Sequence, residues 1–301
     1  MRSKSQFTIN LNFKFILICF FIIFLLFLIP KSSFPPSLLA LSKQVTPAKK
    51  PQQSPRNQEP AESSESCLHG GCGKIPASLA YALVHYVTNN VTPQQSLNEI
   101  SVSMRVLERK SPCNFLVFGL GHDSLMWTAL NHGGRTVFLE EDSAWMDETN
   151  LRFPFLESYH VVYDTKLTEA EKLLEAGMKE EECKVVGDPR ESKCRLSLKG
   201  LPDIVYETEW DLIMVDAPTG YHREAPGRMG AIYTAGLIAR NRAEGDTDVF
   251  VHDVDRDVEN KFSMAFLCKG YMIEQEGRIR HFTIPSHRSL HTNTPFCPTT
   301  P

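Results

Sequence analysis

From Phe15 to Ile29 the chain is an unbroken apolar run, and from 31 to 66 that pattern gives way to Pro, Ser, Gln and Lys. Counted from Leu11, the run has 19 residues. At a rise of about 1.5 Å per residue it approaches the roughly 30 Å of a bilayer's hydrocarbon core. Residues 11–29 are therefore expected to form a signal-anchor helix behind a cytosolic tail at 1–10. A cleaved secretory signal is the competing reading, because Arg2 and Lys4 make a basic n-region; the lack of a small-x-small site after Pro30 favours the anchor. Pro35, Pro36, Pro47, Pro51, Pro55 and Pro60 leave 31–66 too poor in apolar surface to offset its ordering entropy, so it reads as a stem. Residues 67–298 then form one domain.

Within that domain, Leu79, Leu83 and Val87, then Leu97, Ile100, Met104 and Leu107, recur at helical spacing, which predicts two helices over 77–88 and 94–108 packed on the main fold. Phe115-Leu116-Val117-Phe118 is a continuous apolar run of strand length, ended by Gly119-Leu120-Gly121 and followed by a helical stretch over 124–131. The unit repeats. A second strand over 135–140 closes on Glu140, Glu141 and Asp142, and a third over 160–163 ends at Asp164. Residues 165–209 are charged and read as a helix plus an irregular insert carrying Cys183 and Cys194. A fourth strand over 211–216, a helix over 227–242, a fifth strand over 248–253 and a helix over 257–268 follow. Residues 271–275 and 279–284 close as an antiparallel pair. Five βα units and a final hairpin give an α/β class with a mostly parallel sheet, in the element order of class I (Rossmann-like) methyltransferases.

Composition narrows the function. With 32 Lys+Arg against 36 Asp+Glu the net charge is -4, so the chain lacks the basic excess that a nucleic-acid partner requires. Cys67, Cys72, Cys113, Cys183, Cys194, Cys268 and Cys297 resemble no zinc spacing and suit disulfides in an oxidising lumen, with Cys113, entering a buried strand, as the inert thiol. The sequon Asn90-Val91-Thr92 agrees with a lumenal domain, although Pro93 disfavours its use. Anchor, stem and lumenal domain together have the layout of a single-pass type II Golgi membrane enzyme.

Ligands of such sheets bind beyond the carboxyl ends of the strands, where a glycine turn lets them approach the backbone. Gly119 and Gly121 fit that place. Ser124 stands where a dinucleotide pattern needs its third glycine, which favours a cofactor without pyrophosphate. S-adenosylmethionine suits the turn, with Glu140, 19 residues after Gly121, accepting both ribose hydroxyls. Asp164 is a candidate for the adenine amino group, and His122 for the cofactor carboxylate. Glu141 and Asp142 could share the ribose, but strand alternation is expected to turn one acid inward, Glu140. Trp127, Trp145 and Trp210 read as packing.

Asp216 leaves the fourth strand toward the same place. Methyl transfer to a sugar hydroxyl is an in-line displacement that needs a positioned base, for which Asp216, His222 and His252 are the contenders. Asp216 with Asp253, or with Asp255, could instead hold a divalent metal ion that lowers the hydroxyl's pKa. Arg223, Arg228, Arg240, Arg256 and Arg280 follow these strands, and a guanidinium suits an acidic sugar.

Five blocks in order carry a specific likeness: CNFLVFGLGHDSLMW from Cys113, GGRTVFLEED from Gly133, WDLIMVDAPTGYHREAPGRM from Trp210, DVFVHDVDR from Asp248 and GRIRHFTIP from Gly277. Together they resemble the plant glucuronoxylan 4-O-methyltransferase family. The resemblance implies methyl transfer from S-adenosylmethionine to O4 of glucuronic acid side chains on xylan, in the Golgi during secondary cell wall synthesis, beside other xylan-synthesis enzymes. By its motifs Gly119, Gly121 and Glu140 carry over as cofactor residues and Asp216 as the residue after strand four; a metal does not. Related proteins methylate glucuronic acid on arabinogalactan or act in xylan synthesis without clear methyltransferase activity, so that polymer and a non-catalytic scaffold stay open as alternatives.

Overall fold

The computed structural model describes residues 75–92, 94–289 and 294–298. The expected anchor at 11–29, the stem at 31–66, and Cys67 and Cys72 lie outside the described residues. Among the described residues no helix is long and apolar enough to cross a membrane.

The strands, apolar at the centre and polar at the two edges, pair into a seven-stranded sheet of order β3-β2-β1-β4-β5-β7-β6. β1 (Asn114–Phe118), β2 (Arg135–Glu140), β3 (Glu157–His160), β4 (Leu212–Val215) and β5 (Asp246–Val251) are parallel. β7 (Ile279–Pro285) runs antiparallel to β5 and pairs with β6 (Met272–Glu276). The helices are α1 (Ala77–Thr88), α2 (Leu97–Lys110), α3 (Ser124–Leu130), α4 (Ser143–Arg152), α5 (Ala170–Lys179), α6 (Asp203–Glu207), α7 (Met229–Asn241) and α8 (Asp257–Phe262), the last continued by a π-helical turn, Ser263–Cys268. This is the class I methyltransferase arrangement that the element order predicted.

Strand alternation sorts the apolar residues into two cores. Leu116, Phe118, Ile213, Val215, Val249 and Val251 face α7 and Phe262 on one side of the sheet. Phe115, Val117, Phe138, Leu212, Met214 and Phe250 face Val102, Val106, Leu125 and Trp127 on the other. Each such fully buried aliphatic or aromatic side chain contributes about 1.5–3 kcal/mol. Central strands must therefore be apolar throughout, which is why they are legible in the sequence.

Three expectations need correction. β3 lies at Glu157–His160 rather than 160–163. As an edge strand paired only to β2 it carries half-buried polar residues, while Val162 just beyond it is 76% exposed. On α1 the Leu79, Leu83 and Val87 side chains are exposed, and Ala82 is the buried residue. On α2 the buried face is Glu99, Val102, Ser103, Val106 and Leu107, with Leu97 exposed. Ser96 and Glu99 form a reciprocal cap at the start of α2. The second oxygen of Glu99 accepts the Arg278 N–H at 2.6 Å, which turns that helix end onto the β6–β7 turn.

Cys183 pairs with Cys194 inside the insert, and Cys268 with Cys297. Cys113 is free and buried, and burial pushes its thiol up to about 11, in keeping with an inert role.

Candidate active site

The strand order reverses between β1 and β4, and a cavity of about 930 Å³ opens beyond the carboxyl ends of the strands there. Its lining includes Gly119, Gly121, His122 and Glu140 from the β1 and β2 ends, and Asp216, Arg228 and Asp253 from the β4 and β5 ends. Of the residues expected from the sequence, Gly119, Gly121, His122, Glu140, Asp216 and Asp253 thus face one space.

At Gly119 the backbone has φ +119°, and a Cβ there would meet the Ala217 Cβ at 3.3 Å. Glycine keeps β1's exit open and pressed against the β4 loop. Glu140 is 8% exposed. Its Oε2 accepts the Leu120 N–H at 3.0 Å and its Oε1 the Asp142 N–H at 2.8 Å. Burial raises its pKa, and those two N–H groups work against the rise. Each carboxylate oxygen keeps a lone pair for a further donor, so the group can hold a vicinal diol.

Glu141 also lines the cavity, a second inward acid where alternation predicted one. It lies past the end of β2, and its Oε1 accepts the Thr219 N–H at 2.6 Å, tying β2's end to the β4 loop. Trp145 is more than packing: its Nε1 donates to the Leu120 carbonyl at 2.6 Å, pinning the glycine turn, and its ring meets the edge of His122 at 5.1 Å between centroids.

Asp123 is a site residue that the sequence did not mark. It lines the cavity beside the glycine turn and accepts the Trp127 Nε1–H at 2.8 Å. Burial and the nearby charge of Asp216 push its carboxyl up to about 6. Only a GxGxD reading of the turn would have singled it out.

Asp216 is the centre of the opposite wall. Its Oδ1 lies 3.0 Å from His252 Nδ1 and 3.2 Å from Arg228 Nη2, and its Oδ2 accepts from Gln95 Nε2 at 3.2 Å. Burial favours the neutral acid, but the His252 hydrogen bond and the Arg228 charge outweigh it and hold the pKa below the usual carboxylate range. His252 is buried, and its Nε2 has no hydrogen-bond partner among the described residues. Gln95 arrives from the segment before α2 and is itself buried.

Asp253 sits on the same wall with φ +61°. Its Oδ2 meets Arg228 at 3.0 Å and Arg256 at 2.9 Å, and its Oδ1 meets Arg278 at 2.7 Å. Asp216, His252 and Asp253 bring one potential ligand atom each within 4.8 Å of one another. The donor set suits a divalent cation, but Arg228 already bridges the two carboxylates. A cation would enter in exchange for that guanidinium.

Other candidates lie elsewhere. Asp164 is exposed and pairs with Arg195 at 2.9 Å, outside the cavity lining, because β3 ends before it. His222 is exposed on the loop after β4, also outside the lining. Asp255 and Arg223 are exposed. Arg240 is buried against Phe296, 4.0 Å from its ring centroid, and Arg280 hydrogen-bonds Gln275, Asn260 and Ser263, so both serve packing.

A family model described as IRX15/IRX15L/GXM matches residues 98–282. Glucuronoxylan 4-O-methyltransferase 3 of Arabidopsis thaliana is 58% identical to this chain, covering 99% of it and 98% of that protein. Glucuronoxylan 4-O-methyltransferase 1 of the same plant is 64% identical, covering 81% and 88%. Arabinogalactan O-methyltransferase 2, also of Arabidopsis thaliana, is 52% identical over 69% and 73%. The matched span runs from α2 to β7 and takes in both walls of the cavity, and this chain belongs to the IRX15/IRX15L/GXM family.

Proposed function

We propose that this chain transfers a methyl group from S-adenosylmethionine to O4 of the glucuronic acid side chains of glucuronoxylan. The observation that carries the reading is a single cavity with Glu140 on one wall and Asp216 on the other. Its volume, about 930 Å³, lies near the top of the roughly 300–1,000 Å³ typical of ligand sites and leaves room for a sugar beside a nucleoside. Likeness to the glucuronoxylan 4-O-methyltransferases over nearly the whole chain supports the acceptor.

S-adenosylmethionine supplies, when bound, a methyl group made electrophilic by its sulfonium. Glu140 holds the ribose hydroxyls, the glycine turn admits the amino-acid part, and Asp123 lies beside that turn, where a cation favours its charged form. Asp216 receives the proton of the attacking sugar hydroxyl. His252 orients its carboxylate, and Arg228 steadies the charge before the proton arrives. The Asp216, His252 and Asp253 set could also take a divalent metal ion in place of the Arg228 guanidinium, which would lower the pKa of the attacking hydroxyl.

We place the domain in the Golgi lumen behind a single-pass type II anchor, in company with other enzymes of xylan synthesis. The apolar run at 11–29, the proline-rich stem and the Cys183–Cys194 and Cys268–Cys297 disulfides favour that compartment.

Arabinogalactan is the second reading, favoured by the 52% identity to an arabinogalactan O-methyltransferase. The test incubates the protein with labelled S-adenosylmethionine and each polymer separately, with and without a chelator. Label is expected on O4 of glucuronic acid in glucuronoxylan. Label confined to arabinogalactan moves the acceptor, and label in neither polymer contradicts the proposal. Activity lost to the chelator and restored by a divalent cation would put the cation in place of Arg228's guanidinium.

A further inference from the structure

The two walls of the cavity carry different groups. Asp123, Glu140 and Glu141 stand on the wall of the glycine turn, and Arg228, Arg256 and Arg278 on the wall formed by the β4 and β5 loops and the β6–β7 turn. A sulfonium cofactor matches the first wall. On the second, three guanidiniums meet the carboxylates of Asp216 and Asp253 in the lining, and behind it Glu259 lies 3.8 Å from Arg228 and Glu99 3.6 Å from Arg278.

The three arginines are not equally occupied. Arg228 has a side chain only 6% exposed and is engaged by Asp216, Asp253, the buried Glu259 at 3.8 Å, and the carbonyls of Pro218 and His252. Arg278 meets Asp253, lies 3.6 Å from Glu99 and donates to the Gln94 carbonyl at 2.6 Å. Arg256, with its side chain 32% exposed, meets Asp253 Oδ2 at 2.9 Å and comes no nearer than 4.0 Å to Glu259. Of its five N–H donors, most therefore have no partner among the described residues. Gly220 keeps that space clear: a Cβ there would lie 3.4 Å from Arg256 Nη1 and 2.8 Å from Glu259 Oε1.

We infer that Arg256, aligned with Arg278 across Asp253, is the subsite that takes the carboxylate of the uronic acid ring, an inference that rests on the acceptor proposed above. An acceptor carboxylate engages the Arg256 donors that Asp253 leaves free. A planar guanidinium meets it with two parallel hydrogen bonds, fixing how the ring is turned toward Asp216. Asp253 is a positioning residue here, holding the two arginines side by side.

The test uses a glucuronic-acid-substituted xylo-oligosaccharide beside the same oligosaccharide with its carboxyl reduced to an alcohol. Binding by calorimetry and labelled methyl transfer are measured for the full chain, Arg256→Ala and Arg256→Lys. The wild type is expected to favour the acid form by roughly 10- to 100-fold, the worth of a hydrogen-bonded charge pair. Arg256→Ala brings the two forms level without changing cofactor affinity, and Arg256→Lys keeps part of the preference as a point charge. A wild type indifferent to the carboxyl overturns the inference. So does an Arg256→Ala protein that keeps the preference, or one that loses both acceptors equally, as expected if Arg256 only held Asp253. A wild type that binds the acid form selectively yet transfers no methyl group overturns the methyltransferase reading and leaves the subsite standing.

Discussion

Glu140→Ala is expected to weaken S-adenosylmethionine binding by at least about 100-fold. The carboxylate is the buried acid at the end of β2, and Leu120 and Asp142 already orient both of its oxygens, so nothing need rearrange when a ribose arrives. Two hydrogen bonds from hydroxyls to a charged acceptor are worth about 1.5–3 kcal/mol each, and losing both costs a factor of roughly 10² to 10⁴ in affinity. Isothermal titration reads the loss. Because Glu140 also anchors two backbone amides, Glu140→Gln is the companion variant. It keeps the side chain's size but turns one oxygen into a donor facing a donor, and is expected to lose binding as well while its circular dichroism stays native.

The same titration carries a pH signature. Asp123 has its carboxyl at about 6, raised above its ordinary value by burial first and then by the charge of Asp216. A cationic ligand beside it favours the ionised form, so affinity is highest above pH 6 and falls as pH drops through that value, by at most about tenfold per unit. Asp123→Asn is expected to flatten that dependence. A wild-type affinity that rises on acidification would contradict it.

Asp216→Asn is expected to leave cofactor affinity unchanged and to lower turnover by roughly 10² to 10⁴, the usual worth of a positioned general base. Asparagine has the same shape and can still meet Arg228 or His252, but it cannot take a proton from the acceptor. In the native protein burial pushes Asp216 upward, and the His252 hydrogen bond and the Arg228 charge more than reverse it. The residue is therefore ionised through the ordinary carboxylate range. Its contribution to rate is present above that depressed pKa and is lost as pH falls through it. If Asp216→Asn turns over at the wild-type rate, another group takes the proton.

The central frame of this site is legible in the sequence because buried parallel strands must be apolar on both faces. That requirement exposes Phe115 to Phe118 and Leu212 to Val215 as strands, and the residues just past them, Gly119 and Asp216, then fall at the mouth of the crevice. What the pattern hides is whatever tertiary packing decides. Gln95 reaches Asp216 from 121 positions away, through a capped helix start whose sequence reads as an ordinary helix signal. Arg278 occupies a hairpin turn, where an arginine is commonplace, and gains its place only because Glu99 draws that turn onto α2. Asp164 falls outside the cavity lining for the converse reason: β3 is an edge strand, its polar sequence gave no strand signal, and the strand ends several residues earlier than expected.

A crystal structure of the protein with S-adenosylhomocysteine measures the arrangement most directly. Both ribose hydroxyls are expected within hydrogen-bonding reach of Glu140, with the sulfur turned toward Asp216 and the basic wall left open for the sugar. A nucleoside lodged elsewhere, or a sulfur facing away from Asp216, would contradict it.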